Sequence, residues 1–303
     1  MKMKKIYDCA IIGGGPAGLN AGLVLGRAKR NVILFDDNTN RNQVTRESHG
    51  FITRDGASPA EFREIGRKEL LSYPSVQLAN KRITSIEETT DQKYFVLTTL
   101  DEDIFYAEKI ILACGIKEEL PPINGVETFY GTSLFNCPYC DGWELRDQPL
   151  IVISDSIHSV HLSKLVYNWS NDLVLATNGL KLDVKEKAVL EEKGIKVIED
   201  SIKELRGNSG QLEQVEFVNS QRINRTGGFV APNFQLNPLR EILRLDITDE
   251  GSLVIDELGR TSRKHVYAAG DAVDFRFSQL ISSAASGSKA AAAVNADLTS
   301  ERF

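Results

Sequence analysis

The residues best suited to chemistry are Cys137-Pro138-Tyr139-Cys140-Asp141-Gly142. Two thiols two residues apart can close a disulfide within one turn of chain, so each sulfur is the other's resolving partner. If Cys137 opens a short helix, Pro138 falls at the first helical position, where a missing N–H costs little. A helix N-terminus lowers the thiol pKa and favours the reactive thiolate. Asp141 follows directly, a carboxylate placed to pass protons to and from a leaving thiol. The alternatives are half of a zinc site and a structural disulfide. Zinc needs four ligands, usually with a second Cys or His pair at similar spacing. The other two cysteines, Cys9 and Cys114, stand alone in apolar strand-like runs and read as small buried hydrophobes. A redox-active pair, without metal, is the expected use of Cys137 and Cys140.

A second chemistry-bearing stretch is Gly13-Gly14-Gly15-Pro16-Ala17-Gly18, set between the apolar strand Ile6–Ile12 and a helix pattern from Leu19 to Ala28. This is GxGxxG in its required context. Gly13 permits the tight turn, Gly15 the close approach of a pyrophosphate, and Gly18 close helix–strand packing. The next strand, Val32–Phe35, ends in Asp36 and Asp37, where a carboxylate accepts hydrogen bonds from ribose hydroxyls. Dinucleotide binding is the expected role. Residues 38–60 are polar and turn-rich, an excursion that suits a cover for the cofactor. Ser58-Pro59-Ala60-Glu61 reads as N-cap, N1 proline and acidic first turn of a helix to about Ser72.

The chain has 303 residues, 42% of them hydrophobic, which suffices for two domain cores. Net charge is −6, the pI about 5.4, and the basic residues are dispersed. That argues against nucleic acid as a partner, which calls for a basic face. Met1-Lys-Met-Lys-Lys imitates the charged start of a signal peptide, but the apolar run after it is broken at once by glycines. No window approaches the roughly 18 apolar residues of a membrane span. A cytoplasmic location is expected, and there a paired CxxC is more plausibly catalytic than structural.

Between 76 and 112 the pattern alternates and is punctuated by turns. Val76–Leu78, Ile83–Glu87, Tyr94–Thr98 and Ile104–Ala107 suggest an antiparallel insert of three or four strands. Lys109–Gly115 is a further buried strand returning to the first sheet. A linker follows, so residues 1–117 and 240–303 are expected to form one domain and 118–239 a second, inserted one. The second domain repeats the first weakly: strand Leu150–Ile153, helix Ser156–Trp169, strand Leu173–Thr177, helix Lys185–Lys193, strand Ile195–Ile198. Its turn reads Ser154-Asp155-Ser156-Ile157-His158-Ser159 and has no glycine. Side chains there obstruct a pyrophosphate and Asp155 repels it; no arginine pair follows the second strand for a 2′-phosphate. His158 and His161, three apart on a helix pattern, lack a metal-binding partner and read as solvated or packing residues. Residues 201–218 suggest a hairpin, Gly228–Pro232 a strand leaving the domain, and Pro238–Leu245 a short helix. His265–Ala269 is a strand ending in Gly270-Asp271, before a small-residue helix from Ser278 to Leu298. Such a strand end can hold a flavin's ribityl chain or pyrophosphate.

Together these residues resemble the low-molecular-weight thioredoxin reductase family, over essentially the whole chain. The matches are Gly13–Gly18, Ala113-Cys114-Gly115 for the family's Ala-Thr-Gly, Cys137–Gly142 for its Cys-x-x-Cys-Asp-Gly, and Ala269-Gly270-Asp271. The resemblance implies an α/β fold of two Rossmann-like three-layer ββα domains, the second inserted in the first, FAD as cofactor, and a homodimer. It implies that Cys137 exchanges with the external disulfide, Cys140 faces the flavin and Asp141 is the acid–base residue. The cofactor contacts it implies are Gly13, Gly15, Pro16, Ala17, Gly18, Asp36, Asp37, Arg41, Asn42, His49, Ala113, Gly115, Gly270, Asp271 and Gln279. The family's NADPH domain carries GxGxxA and His-Arg-Arg, and this chain has neither. Arg41-Asn42, Ser48–Phe51, Arg54–Gly56 and Asn136–Glu144 look closer to a branch that includes the flavin-dependent dithiol oxidases of the gliotoxin and holomycin pathways. In that branch oxygen reoxidises the flavin; other thioredoxin-reductase-like flavoproteins take electrons from ferredoxin. The expectation is an FAD-dependent thiol–disulfide oxidoreductase lacking a normal NADPH site, acting on a thioredoxin-like protein or a small dithiol or disulfide. An NADPH-dependent thioredoxin reductase and a non-enzymatic flavin redox sensor are the alternatives.

Overall fold

The computed structural model describes residues 5–303, so the charged start at 1–4 lies outside the described residues. Strand β1 (Ile6–Ile12) is buried along all but its first residue, as a central strand covered on both faces must be. Helix α1 (Pro16–Arg27) begins three residues before the expected Leu19, because Pro16 takes the first helical position with its φ already set. Then come β2 (Val32–Phe35), α2 (Pro59–Leu71) and β3 (Val76–Ala79). Ser58 caps α2 as expected, its hydroxyl accepting from the Glu61 amide at 3.1 Å. Next are β4 (Ile83–Glu88), β5 (Phe95–Thr99) and β6 (Ile104–Leu112).

Val76–Ala79 is not part of an antiparallel insert; it pairs parallel with β2, Val32 beside Val76. Ile104–Ala107 and the strand from Lys109 are one continuous β6. One edge of β6 pairs with β1 from Tyr106 to Leu112. The other is shared by antiparallel β5 over 104–107 and a later parallel strand over 110–112. Nothing between 104 and 112 is a turn former, so the backbone runs straight while its neighbours change. Alternation of side chains carries no record of such a change.

The chain continues through β7 (Ile116–Glu119), α3 (Val126–Phe129), β8 (Leu134–Phe135), α4 (Pro138–Asp141), β9 (Leu150–Ile153), α5 (Ser159–Val166), β10 (Leu173–Ala176), α6 (Val184–Glu192) and β11 (Lys196–Ile198). The antiparallel strands β12 (Ile202–Asn208), β13 (Gln211–Phe217) and β14 (Arg222–Asn224) follow, then β15 (Gly227–Val230) and β16 (Asn233–Leu236). Helix α7 (Leu239–Ile242), β17 (Val266–Ala268) and α8 (Leu280–Arg302) complete the chain. The parallel sheet here runs β11-β10-β9-β15-β8. Thus β15, expected to be leaving the domain, lies inside the sheet, paired with β9 and β8. Its two glycines fit that place, since a Cβ on Gly228 would meet the Ile151 carbonyl oxygen at 1.9 Å.

Two compact units result. One holds the described residues through Gln43, then Gly50–Lys117 and Phe234–Phe303; the other holds Val44–His49 and Glu118–Asn233. Each has three layers. In the first, Ala10, Ile12 and Phe35 face a core closed by Ile83, Ile86, Phe95 and Leu97, while Ile11 and Leu34 face the helices through Leu25, Leu70 and Val294. In the second, Ile151 and Ile153 face Val215 and Phe217, and Leu150 and Val152 face Val160, Val166 and Leu190. The fold is therefore mixed α/β, with strand layers on one side of each parallel sheet and helices on the other.

Candidate functional site

In the first unit the glycine turn is shaped by two packing demands and one open space. Gly13 has φ +113°, and a Cβ there would lie 2.2 Å from the Ala113 carbonyl oxygen. A Cβ on Gly18 would lie 1.8 Å from the Gly13 carbonyl oxygen. Gly15 is different: among the described residues nothing lies within 4 Å of where its Cβ would stand. It is the N-cap of α1, no side chain caps that helix, and its first turn holds no acidic residue. The orphan amides of the turn are thus available to an anion.

Of the other expected cofactor residues, Asp36, Ala113 and Gly270 touch this turn or the start of α1 directly. Asp36 lies against the Gly14 backbone, its Oδ2 2.2 Å from the position of a Gly14 Cβ. Gly270 sits against Ala17, its amide donating to Ser286 Oγ at 2.7 Å. Asp271 accepts from Arg41 at 2.7 Å and from Ser283 Oγ at 2.8 Å. The Ala113 amide donates to the Ile12 carbonyl, Gly115 has φ +61°, and Gln279 is the N-cap residue of α8. Asn42 accepts from Asn40 at 2.8 Å.

Sequence reading missed the partners of Asp36. Arg63 and Arg67, one turn apart on α2, both donate to its buried carboxylate, as does the Asn38 amide. Burial pushes the Asp36 pKa up, but the two guanidinium groups and the amide outweigh it and hold the carboxyl below its usual range. Each arginine leaves its Nε buried without a hydrogen-bond partner among the described residues. The only legible signal was the i, i+4 spacing of two arginines on the capped helix. Asp37 is turned instead toward Thr39 and Arg82. The open amides can donate to a pyrophosphate and the ionised Asp36 carboxylate can accept from a ribose, a set that fits FAD.

In the second unit Cys137 and Cys140 are closed as a disulfide, with Cα atoms 5.3 Å apart. Cys137 is the extended N-cap of α4 and Pro138 takes its first position. The helix is a single turn, so the dipole expected to act on the thiol is one turn's worth. Both Cys140 and Asp141 amides donate to the Cys137 carbonyl, at 3.1 and 3.2 Å. Gly142 makes room for Trp169, whose ring lies 2.8 Å from the position of a Cβ. Trp169 meets Tyr139 edge-on, centroids 5.8 Å apart, and Arg146 lies 4.1 Å over the Trp143 ring. Tyr139 and Trp143 are 63% and 65% exposed beside the disulfide.

Asp141 itself is buried. Burial raises its pKa, the Glu144 carboxylate raises it further, and His49 opposes them, leaving the carboxyl at about 7. His49 had been expected at the cofactor. The structure groups it with the second unit, its Nε2 3.7 Å from Glu144 and 3.6 Å from Glu47. The remaining thiols are inert: burial pushes Cys114 up to about 12 and Cys9 higher still. His158 and His161 are both exposed.

Two three-layer nucleotide-type units, one with an open glycine cradle and one with a closed CxxC pair, define a flavoprotein disulfide-oxidoreductase fold. Residues 7–291 match the pyridine nucleotide-disulphide oxidoreductase family, and the chain belongs to it. Membership implies a flavin, in keeping with the cradle. The TrxB structure from Bacillus anthracis is 51% identical, covers 98% of this chain and 100% of that one, and superposes with a TM-score of 0.95. HlmI is 34% identical over 98% of this chain and 93% of its own, with a TM-score of 0.93, which bears out the resemblance to the holomycin-type branch. Thioredoxin reductase AclD of Aspergillus oryzae is 35% identical over 57% of each chain. The chain spans about half the length of such fungal relatives.

Proposed function

We propose that this protein is an FAD-dependent thiol–disulfide oxidoreductase whose electron partner is not a nicotinamide nucleotide. The observation that carries it is the Cys137–Cys140 disulfide adjoining a buried Asp141 that titrates near neutrality. A substrate thiolate attacks Cys137 Sγ; the Cys137–Cys140 bond breaks and Cys140 leaves as thiolate. The second substrate thiol, deprotonated, attacks the mixed disulfide and releases Cys137, so two electrons pass to the pair and a substrate disulfide leaves. Asp141 as carboxylate takes a thiol proton and as acid returns one to a departing thiolate; the reductive direction is the reverse. Bound FAD would supply the two-electron acceptor or donor for the pair. Gly13, Gly15, Pro16, Ala17 and Gly18 would face its pyrophosphate, Asp36 its ribose, and Gly270, Asp271 and Gln279 the remainder, with Arg41 holding Asp271.

The second unit does not fit NADPH. In place of a glycine cradle, the Ser156 amide donates to Ser154 Oγ at 3.4 Å and the His158 amide to Ser156 Oγ at 3.2 Å. Two amides of the turn are thus taken up by its own hydroxyls. Past β10, Lys181 and Lys187 both pair with Glu199, which also accepts from the Leu182 amide and would repel a 2′-phosphate. Oxygen or ferredoxin is then the partner on the flavin side. A thioredoxin-like protein or a small dithiol or disulfide is the partner at Cys137, and a homodimer in the cytoplasm is the setting the resemblance suggests. The test is an anaerobic titration with NADPH and with dithiol. Dithiol should bleach the flavin while stoichiometric NADPH leaves it oxidised, and rapid bleaching by NADPH would overturn the assignment. Cys137→Ser should retain FAD and lose all turnover with dithiols.

A further inference from the structure

The short segment Val44–His49 belongs by its packing to residues far along the chain. Gly131 anchors it, since a Cβ there would lie 2.4 Å from the Val44 carbonyl oxygen; the two backbones touch. At the other end of the segment, His49 comes within 3.7 Å of Glu144. Glu144 follows Asp141 by three residues, and the backbone continues the turn, the Leu145 amide donating to the Asp141 carbonyl at 3.4 Å. Spacing of three on a helical turn puts the two carboxyl groups on one side. Glu144 is 43% exposed and His49 18%, whereas Asp141 is buried.

We propose that Glu144 and His49 are positioning residues for the proton on Asp141, Glu144 from the turn that Asp141 begins and His49 from the 44–49 segment against Glu144. Glu144 raises the proton affinity of Asp141 and His49 lowers it. The proposal rests on Asp141 serving the cysteine pair as read above. The charged groups acting on Asp141 are Glu144 from its own turn and His49 from the 44–49 segment, with Glu47 behind His49. Arg146, on the same turn as Glu144, is engaged with the Trp143 ring and carbonyl.

The arrangement solves a physical problem. A buried carboxyl beside one bare carboxylate stays protonated across the neutral range and can serve only as an acid. An acid–base residue works in both directions when its proton affinity matches the surrounding pH. An imidazolium beside the second carboxylate moves the buried group toward that point.

The test is a carbon-13 NMR titration of aspartate carboxyl carbons in selectively labelled holoprotein, with Asp141 assigned from Asp141→Asn. Glu144→Gln should lower the Asp141 midpoint by about one pH unit, and His49→Gln should raise it by a comparable amount. His49→Arg, which keeps a positive charge at every pH, should hold the midpoint at or below that of the wild type. Both neutral variants shifting the midpoint the same way, or neither shifting it, would overturn the proposal. Because the readout needs no turnover, it is independent of Cys137→Ser. An active Cys137→Ser enzyme would sink the disulfide mechanism and leave these midpoints as they are.

Discussion

The two strand–turn–helix junctions, Gly13–Gly18 after β1 and Ser154–Ser159 after β9, have the same place in their units and opposite chemistry. Each follows a fully apolar strand end and opens a helix. In the first, two glycines are demanded by backbone packing and Gly15 leaves an unfilled space before uncapped amides. In the second, Ser154 and Ser156 turn their hydroxyls back onto the amides of the same turn. The topology is specified by the apolar strands and survives in both. An anion cradle depends on the absence of side chains at a few positions, and in the second turn serines stand at those positions and take up two of the amides. The second unit carries a disulfide instead, at the start of α4.

Substitutions at matched positions of the two turns should break this comparison if it is wrong. Gly15→Val should cost about 100-fold or more in FAD affinity, because a side chain would occupy the place of phosphate oxygens making charge-assisted bonds. Its flavin-free Tm should be unchanged. Ser156→Val, at the matching position, should leave flavin content and dithiol turnover within about twofold. Equal loss of flavin in both, measured by absorbance of the purified proteins, would remove the distinction. Gly18→Ala should destabilise by about 3 kcal/mol or more in a thermal melt, since backbone rather than a movable side chain stands in the way.

A smaller effect sharpens where the second unit keeps its chemistry. Asp141 binds its proton more tightly folded, at about 7, than an unfolded carboxyl near 3.8. Between those values the unfolded state is ionised and the folded state protonated, so this group's contribution to stability is full below pH 4 and is lost as pH rises to 7. Asp141→Asn should therefore raise the Tm at pH 8, by the equivalent of about 2–4 kcal/mol, and leave it unchanged at pH 4. A Tm gain that is the same at both pH values would contradict the buried, neutral carboxyl. Smallest of all, Ser159→Ala, at the position matching Gly18, should be neutral or stabilising by up to about 1 kcal/mol. Its buried hydroxyl has no hydrogen-bond partner among the described residues.

Features set by neighbours in sequence were legible. The Ser58 cap with Pro59, the Pro138 start of α4 and the glycine turn after β1 each depend on residues within a few positions of one another. Strand partners were less so. The alternation of 76–112 showed strands but not that Val76–Ala79 joins β2, nor that β6 passes unbroken from an antiparallel neighbour to a parallel one. A side-chain pattern reports which faces are buried and says nothing of what lies along the edge.

The apolar strands, the open glycine cradle and the cysteine pair with its carboxylate follow from residue type at short spacing. Which charges meet is settled in three dimensions: Arg63 and Arg67 on Asp36, Arg41 on Asp271, His49 beside Glu144. Burial and charge act through space, over a few ångströms. The proton affinity of a carboxyl is therefore fixed by whatever the fold brings to it from elsewhere in the chain.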